Sequence, residues 1–257
     1  METTTAFWRK WWDDFAQRAC NDYETDRGTT LRIEGLEQRN FAQYMEAVEP
    51  RSTDHVLDAG CGTGINCSRL NLLVSRIVGI DLSSEMLKRA EQRIIREGLS
   101  NTCVLRGDVT QMQFTSESFD KVICTSVLQY LNNGECEAAL QELVRVCRPG
   151  GRIILHVKNR TSLYGLSRMW LQAVAKLLKR KTGPEYYRPR IWDENVIRRA
   201  GAEIIDYDSF GILTFVPLPM IVVRWLLWLE MRLICGRSIK RFGVNYKMTV
   251  QSTKSCQ

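Results

Sequence analysis

The chain has 257 residues, of which 44% are hydrophobic and 25% are charged, a composition typical of a globular protein. This composition excludes disordered and collagen-like architectures, and the length suits one α/β domain with a full core. Lysine and arginine outnumber aspartate and glutamate by 36 to 29, which gives a net charge of +7. Such a charge is compatible with a nucleic acid, a membrane surface or an anionic substrate as the binding partner, and it does not distinguish among them.

The cysteine, histidine and apolar content bears on compartment and metals. The nine cysteines form no Cys-x-x-Cys pair, and with only His55 and His156 the usual zinc spacings are absent. The first 19 residues mix aromatic and charged side chains, and the longest apolar stretch, 212–229, contains two prolines and an arginine. We therefore predict a reduced, cytoplasmic protein without a metal site, a signal peptide or a membrane-spanning helix.

Aromatic residues near the amino terminus follow a helical spacing. They are Phe7, Trp8, Trp11, Trp12 and Phe15. Their spacing places them on one broad face of a helix. Such a face packs into a core in most helices, and it can also cover a ligand. We expect residues 1–50 to form a helical lid, with core packing as the alternative role of the aromatic face.

Strand-like and helix-like stretches alternate from residue 50 onward, which predicts right-handed crossovers and a parallel sheet. The predicted strands are 55–58, 76–81, 102–106, 119–125 and 152–157, and the clearest helices are 84–97 and 134–146. A helix at 191–200 and strands at 202–207 and 244–250 complete a seven-stranded sheet. We predict one domain over 1–257, with its core at 51–160 and the last strands within 191–257.

The most informative motif is the glycine-rich turn that follows the first predicted strand. Gly60, Gly62 and Gly64 stand at every second position, where the absence of side chains lets the backbone pass close to a ligand. A dinucleotide fingerprint would need a glycine at position 65, which is Ile65, and a Walker loop would need Gly-Lys-Ser/Thr. Both of these phosphate-binding interpretations are therefore disfavoured.

Carboxylates follow the next two predicted strands. Asp81 ends the second strand, where a carboxylate can accept hydrogen bonds from both hydroxyls of a ribose. Asp108 follows the third strand, where it can hold an adenine amine. Because the carboxyl ends of parallel strands meet at one edge, these carboxylates and the glycine turn should converge on one crevice.

With these motifs the sequence resembles the class I S-adenosylmethionine-dependent methyltransferases. The resemblance rests on the segments 58–64, 79–84, 107–108, 119–124 and 148–151, and it is close over about 50–160. It implies a Rossmann-like α/β fold, with a seven-stranded, mostly parallel sheet and helices on both faces, and S-adenosylmethionine as cofactor. By position it puts the three glycines beside the methionine part, Asp81 on the ribose, Asp108 near adenine and Cys124 beneath the sulfonium.

The resemblance also implies further cofactor contacts. They are Asp58, Cys61, Leu82, Met86, Val109 and, over the cofactor, Tyr23. A narrower similarity, at 158–161 and 187–203, is to the ubiquinone-biosynthesis O-methyltransferases. Those enzymes carry a Glu-x-x-Glu-His metal site where this chain has Ser126, Gln129 and Tyr130, so we predict no metal and no catechol-like chelation.

Two residues are candidates for catalysis on the acceptor. His156 is the histidine predicted at the carboxyl end of the fifth strand, where it could remove the proton of an acceptor hydroxyl; the alternative is a hydrogen bond to a loop. Tyr130 could line the same pocket, with packing as its alternative. Most of the acceleration should come from holding donor and acceptor close together.

The positive charge is concentrated in one stretch. Residues 158–190 contain nine basic residues and one acid, and within them 161–190 has the pattern of a basic amphipathic helix. This insertion could contact a membrane, cap the substrate pocket or bind RNA, although no RNA-binding accessory motif is visible. A second apolar stretch, 220–229, could line an acyl or prenyl pocket or dock to a membrane or a second subunit.

We therefore predict a methyltransferase acting on a hydrophobic small molecule or lipid-linked acceptor, with O-methylation favoured over N- or C-methylation. The predicted location is cytoplasmic, with peripheral membrane contact. The alternatives are an RNA methyltransferase that uses the basic segment and a cofactor-binding protein without catalysis. Turnover and salt-dependent RNA binding distinguish the three.

Overall fold

The computed structural model describes residues 4–18, 44–158, 160, 170, 177, 186–210 and 245–253. Its helices are α1 (Thr4–Arg18), α2 (Ile65–Leu70), α3 (Ser84–Glu97), α4 (Asn133–Val146) and α5 (Arg190–Ala200). Its strands are β1 (His55–Ala59), β2 (Arg76–Asp81), β3 (Thr102–Arg106), β4 (Phe119–Thr125), β5 (Cys147–Lys158), β6 (Ala202–Phe210) and β7 (Asn245–Ser252). A short helical segment lies at 44–48.

The seven strands form one sheet in the order β3-β2-β1-β4-β5-β7-β6. Strands β1 to β5 are parallel, and β7 runs antiparallel between β5 and β6. The strand order reverses direction between β1 and β4, and in such sheets ligands bind beyond the carboxyl ends of the strands at this point. The predicted α/β fold is confirmed.

Helices cover both faces of the sheet because successive strand residues point to opposite sides. On one side, Val56 of β1 packs in a cluster with Leu70 of α2 and Leu87 of α3. On the other side, Leu57 packs in a cluster with Leu140 of α4 and Ile197 of α5. All but Leu87 are fully buried. The two clusters hold the helices against the sheet and so fix the position of the strand ends at which the site lies.

Most predicted element boundaries agree with the structure. Helix α3 and strands β2, β3 and β4 have the predicted limits, and α3 is capped by Ser83 at its start and Gly98 at its end. Strand β5 begins at Cys147, five residues before the predicted start, because Cys147 already pairs with Phe119 ahead of a shift in register. Strand β6 continues to Phe210, three residues past the prediction.

Several predicted features lie outside the described residues. They are residues 19–43 of the N-terminal segment with Tyr23, nearly all of the basic segment 161–190, and the apolar stretch 220–229. Among the helices that are described, none has the length and apolar character needed to cross a bilayer.

Candidate active site

One cavity of about 540 Å³ opens at the carboxyl ends of the central strands. Its volume lies within the range of small-molecule sites. Asp81 and Asp108 line one end, which follows β2 and β3, and Tyr130 and Lys158 line the other, which follows β4 and β5. We call these the cofactor end and the acceptor end.

The glycine turn after β1 forms the floor of the cofactor end. Gly60 has φ +81°, and its N–H donates to the carbonyl of Ile80 at 2.8 Å. A Cβ on Gly60 would lie 2.1 Å from Cγ2 of Val127, so the turn tolerates no side chain there. At Gly62, by contrast, a Cβ would meet no atom within 4 Å. The predicted close approach of backbone to ligand therefore has a structural basis.

Asp81 joins the glycine turn to the start of α3. Its Oδ2 accepts a hydrogen bond from the N–H of Gly62, and its Oδ1 accepts one from the N–H of Ser83, both at 2.9 Å. Burial raises the pKa of this carboxyl, while the backbone N–H bonds lower it. A carboxylate has about four lone-pair sites, so two remain for ribose hydroxyls.

The part of the cofactor end that follows β3 has one carboxylate among apolar side chains. Asp108 Oδ1 accepts hydrogen bonds from the N–H of Thr110 at 2.9 Å and from its hydroxyl at 2.7 Å. Both of these bonds go to Oδ1, so Oδ2 can serve an amine. Leu82, Met86 and Val109 line the same part of the cavity.

Three predicted cofactor residues lie behind the cavity wall. Asp58 is fully buried, and its carboxylate accepts hydrogen bonds from Asn66 Nδ2 at 3.3 Å and from the Cys67 thiol at 3.9 Å. Burial raises the pKa of Asp58 to about 7, and the nearby Asp81 charge adds to this. Gly64 forms the N-cap of α2, and Cys124 is fully buried in the core. Cys61, also predicted, does line the cavity.

Helix α1 closes the cavity with its aromatic face. Trp8, Trp11, Trp12 and Phe15 all line the cavity, and the ring of Trp8 lies 4.5 Å from that of Tyr130. The predicted face therefore both packs and lines a ligand space.

Asp13 attaches α1 to the cofactor end. Its Oδ1 accepts hydrogen bonds from the hydroxyl of Ser83 at 2.6 Å and from the N–H of Glu85 at 3.2 Å. Arg89 of α3 donates to the carbonyl of Ala16 at 2.6 Å. Because Ser83 also contacts Asp81, the covering helix and the proposed ribose-binding carboxylate share one anchor. No sequence pattern had pointed to Asp13.

The acceptor end is built on a 3₁₀ turn, Leu128–Tyr130, after β4. Arg188, which is buried, donates to the carbonyl of Leu128 at 3.0 Å and also to that of Leu131. The N–H of Tyr186 donates to the carbonyl of Gln129 at 2.7 Å. These contacts hold a turn from residues almost 60 positions away, a link that the sequence does not reveal.

The two predicted catalytic residues have different positions. Tyr130 lines the cavity, whereas His156 does not; it pairs in register with Thr125 of β4, which does. Lys158, two residues further along β5, also lines the cavity, as does Gln129. Sequence reasoning did not place Lys158 in the pocket, and it named Gln129 only as a position where related enzymes carry a metal ligand. Among the described residues, no group of three or more metal-ligating side chains lies together.

Comparisons with known proteins agree with this architecture. A family described as a methyltransferase domain matches residues 56–151. A malonyl-acyl-carrier-protein O-methyltransferase of Erwinia pyrifoliae is 32% identical over 137 residues, which are 53% of this chain and 50% of the relative. A ubiquinone/menaquinone biosynthesis C-methyltransferase of Bdellovibrio bacteriovorus is 31% identical over 143 residues, 55% of this chain and 58% of the relative.

A solved structure shares the fold over almost the full length. Magnesium protoporphyrin IX methyltransferase of Synechocystis, solved with bound SAH, has a TM-score of 0.64 at 16% identity, and the match covers 97% of this chain and all of that one. The chain spans about half the length of the curated relatives it matches. The fold is therefore shared over almost the whole chain, whereas the sequence similarity to these relatives covers about half of it.

Proposed function

The chain belongs to the class I S-adenosylmethionine-dependent methyltransferase family, and we propose that it transfers a methyl group to a hydrophobic small molecule or lipid-linked acceptor, with oxygen as the favoured acceptor atom. The observation that carries this proposal is the single cavity that joins Asp81 and the glycine turn to an aromatic acceptor wall. S-adenosylmethionine is the cofactor of this family, and when bound it supplies an electrophilic methyl group on a sulfonium.

The cofactor end has groups that fit S-adenosylmethionine. Two backbone N–H groups orient Asp81, which would accept hydrogen bonds from the ribose hydroxyls. Another backbone N–H group orients Asp108, which would accept a hydrogen bond from the adenine amine. Gly62, beside which a Cβ would meet no atom within 4 Å, leaves room for the methionine part. Tyr23, predicted to lie over the cofactor, remains a prediction.

The acceptor end supports an apolar substrate. Trp8, Trp12 and Tyr130 present aromatic surface, and Trp8 is almost fully buried against the rest of the protein. Holding an acceptor against such walls, away from water, supplies most of what a methyl transfer with a good leaving group requires. The names of two relatives support parts of this choice: one methylates oxygen on a carrier-linked group, and the other belongs to the biosynthesis of lipid quinones.

Proton removal from an acceptor hydroxyl needs a base. We propose His156 for this role and Tyr130 as a direct acceptor contact. His156 pairs with Thr125, which lines the cavity, so its action on the acceptor requires a relay.

The positive segment 158–190 is the basis for a proposed peripheral membrane contact in the cytoplasm. Its pattern of basic residues with tryptophan on the apolar side suits an interface. Such a contact would bring a lipid-linked acceptor to the cavity.

The test is mass spectrometry of a cell extract incubated with the purified protein and methyl-deuterated S-adenosylmethionine. We expect a labelled mass shift in the organic-soluble fraction, which would also identify the acceptor. A label confined to RNA would replace this proposal with the RNA methyltransferase alternative. Tight cofactor binding with no label in small-molecule, lipid or RNA fractions would favour a protein without catalysis.

A further inference from the structure

We propose that the side-chain amide of Gln129 selects acceptors that carry a hydroxyl group on an aromatic ring. Gln129 lies in the 3₁₀ turn of the acceptor end, next to Tyr130. This role presupposes the methyltransferase activity proposed above, and it names the chemical class of the acceptor.

The first observation is a buried hydrogen-bond acceptor in a residue that lines the cavity. Gln129 is only 3% exposed and lines the cavity. Its Oε1 receives no hydrogen bond from any residue that the structure describes. A buried oxygen in this state is unfavourable, and native proteins rarely leave one without a partner. A ligand that donates an O–H in the cavity would supply the missing bond.

The second observation is that hydrogen bonds hold the backbone of the turn, so the turn cannot easily move to bring this oxygen to a donor. Tyr186 holds the carbonyl of Gln129, and Arg188 holds the carbonyls on either side, at Leu128 and Leu131. Arg188 also donates to Asn133 Oδ1 at 3.1 Å. The backbone is therefore fixed before a ligand arrives, and a preorganised group loses less conformational freedom on binding.

The third observation concerns the shape of the partner. Tyr130, the next residue, lies 4.5 Å from the ring of Trp8 and 5.4 Å from that of Trp12. Aromatic rings in edge and tilted arrangements provide surfaces against which another ring packs well. Gln129 is thus a polar group at the side of an aromatic wall, which matches a hydroxyl on an aromatic ring.

The amide orients the acceptor and does not deprotonate it. An amide oxygen accepts a hydrogen bond but is far too weakly basic to remove a proton at neutral pH. The role of Gln129 is therefore specificity, and the proton must leave through another group.

The test compares the binding of 2-naphthol and naphthalene, which differ by one hydroxyl. Their dissociation constants are measured by equilibrium dialysis with S-adenosylhomocysteine at saturation. A hydroxyl disfavours transfer from water into a purely apolar pocket, so tighter binding of 2-naphthol needs a specific partner. We expect wild type to bind 2-naphthol at least roughly 10-fold tighter than naphthalene.

The variant Gln129→Met removes the amide at nearly constant length, and the preference for 2-naphthol should fall below about 3-fold. Gln141→Met, the same change on the exposed face of α4, should leave the preference intact. Gln129→Glu retains an accepting oxygen and should retain the preference, which provides a second variant if the first does not fold. The dissociation constant of S-adenosylhomocysteine should be unchanged in all three.

Three outcomes would overturn the assignment. Wild type could show no preference for the hydroxyl, or Gln129→Met could keep it. Weaker binding of S-adenosylhomocysteine by Gln129→Met, with the preference retained, would assign the amide to the cofactor. Because these measurements follow binding, they can fail while the label-transfer experiment succeeds, and the converse also holds.

Discussion

The two ends of the cavity are built in different ways. At the cofactor end, the lining residues between Gly60 and Val109 come from one continuous stretch, and backbone N–H groups fix the key carboxylate, Asp81. At the acceptor end, Trp8, Tyr130 and Lys158 come from distant parts of the chain, and Arg188 holds the turn from outside the cavity. Local backbone geometry makes the first end, whereas long-range side-chain contacts make the second.

The residues at the two ends of the cavity are therefore constrained in different ways. On the proposed placement of the cofactor, the glycine turn and the strand-end carboxylate would serve any acceptor, because they would contact only the cofactor. The acceptor end can change its wall residues without disturbing that arrangement. Substitutions at the two ends should therefore affect different quantities, namely cofactor affinity and acceptor selectivity.

The largest effect should come from Gly60→Ala at the cofactor end. The new Cβ would collide with Val127, and φ +81° is unfavourable for alanine, so we expect a loss of at least about 4 kcal/mol in the free energy of unfolding. Urea denaturation measures this loss. Adding Val127→Ala should recover part of it by removing the collision.

The matched control for that change is Gly134→Ala. Gly134 lies in the first turn of α4, and a Cβ there would come no closer than 3.5 Å to another atom. Alanine favours a helix, so stability should be equal or slightly higher. Equal losses in the two variants would show that the Gly60 turn has no special constraint.

Asp58→Asn should make stability less sensitive to pH. The pKa of Asp58 is raised to about 7 by burial, so the folded protein keeps a proton that the unfolded chain releases near pH 4. Wild-type stability should therefore fall as pH rises from about 4 to 7, by up to about 4 kcal/mol from this group. In urea denaturation without cofactor, the free energy of unfolding of the variant should rise relative to that of wild type as the pH increases from 5 to 8.

Asp193 provides the same comparison at the acceptor end. It is buried in α5, where desolvation raises its pKa to about 7. Asp193→Asn should shift the pH dependence in the same direction as Asp58→Asn. A parallel pH dependence of wild type and both variants would contradict the raised pKa values of these two buried carboxyl groups.

His156→Gln tests the proposed base, which lies beside the acceptor end. We expect kcat for the acceptor found by isotope labelling to fall by at least about 10-fold, because general-base catalysis contributes that much or more. Cofactor affinity should stay within about 2-fold of wild type, as the ring does not line the cavity. Unchanged kcat and an unchanged pH–rate profile would remove His156 from the mechanism.

The smallest effect should come from Asp13→Ala, which detaches the covering helix from Ser83 and Glu85. We expect S-adenosylhomocysteine to bind about 3- to 10-fold more weakly, from the loss of one or two partly buried hydrogen bonds. Titration calorimetry measures the change. Asp14→Ala, at the next and exposed position of α1, should bind like wild type. Equal affinities for the two variants would mean that Asp13 does not couple α1 to the cofactor end.

The same contrast explains what the sequence could predict. Strands β2 to β4, helix α3 and the convergence of the glycine turn, Asp81 and Asp108 follow from patterns within short stretches of chain. The aromatic face of α1 was visible, but its contact with Tyr130 was not.

Other features of the site could be recognised only in the folded structure. Arg188 reaches the turn at Leu128 only because β7 and α5 are packed beside β5 and α4. The fully buried position of Asp58 likewise depends on Asn66 and Cys67 of α2, which cover its carboxylate. No local pattern encodes either arrangement.

The most direct test of the central assignment is the affinity of S-adenosylhomocysteine for wild type and for Asp81→Asn, measured by isothermal titration. Asparagine keeps the size of the side chain but replaces one accepting oxygen with a donor and removes the charge. We predict that wild type binds and that the variant loses at least roughly 100-fold in affinity while it remains folded. Equal affinity in the two proteins would contradict the placement of the cofactor at Asp81 and the glycine turn.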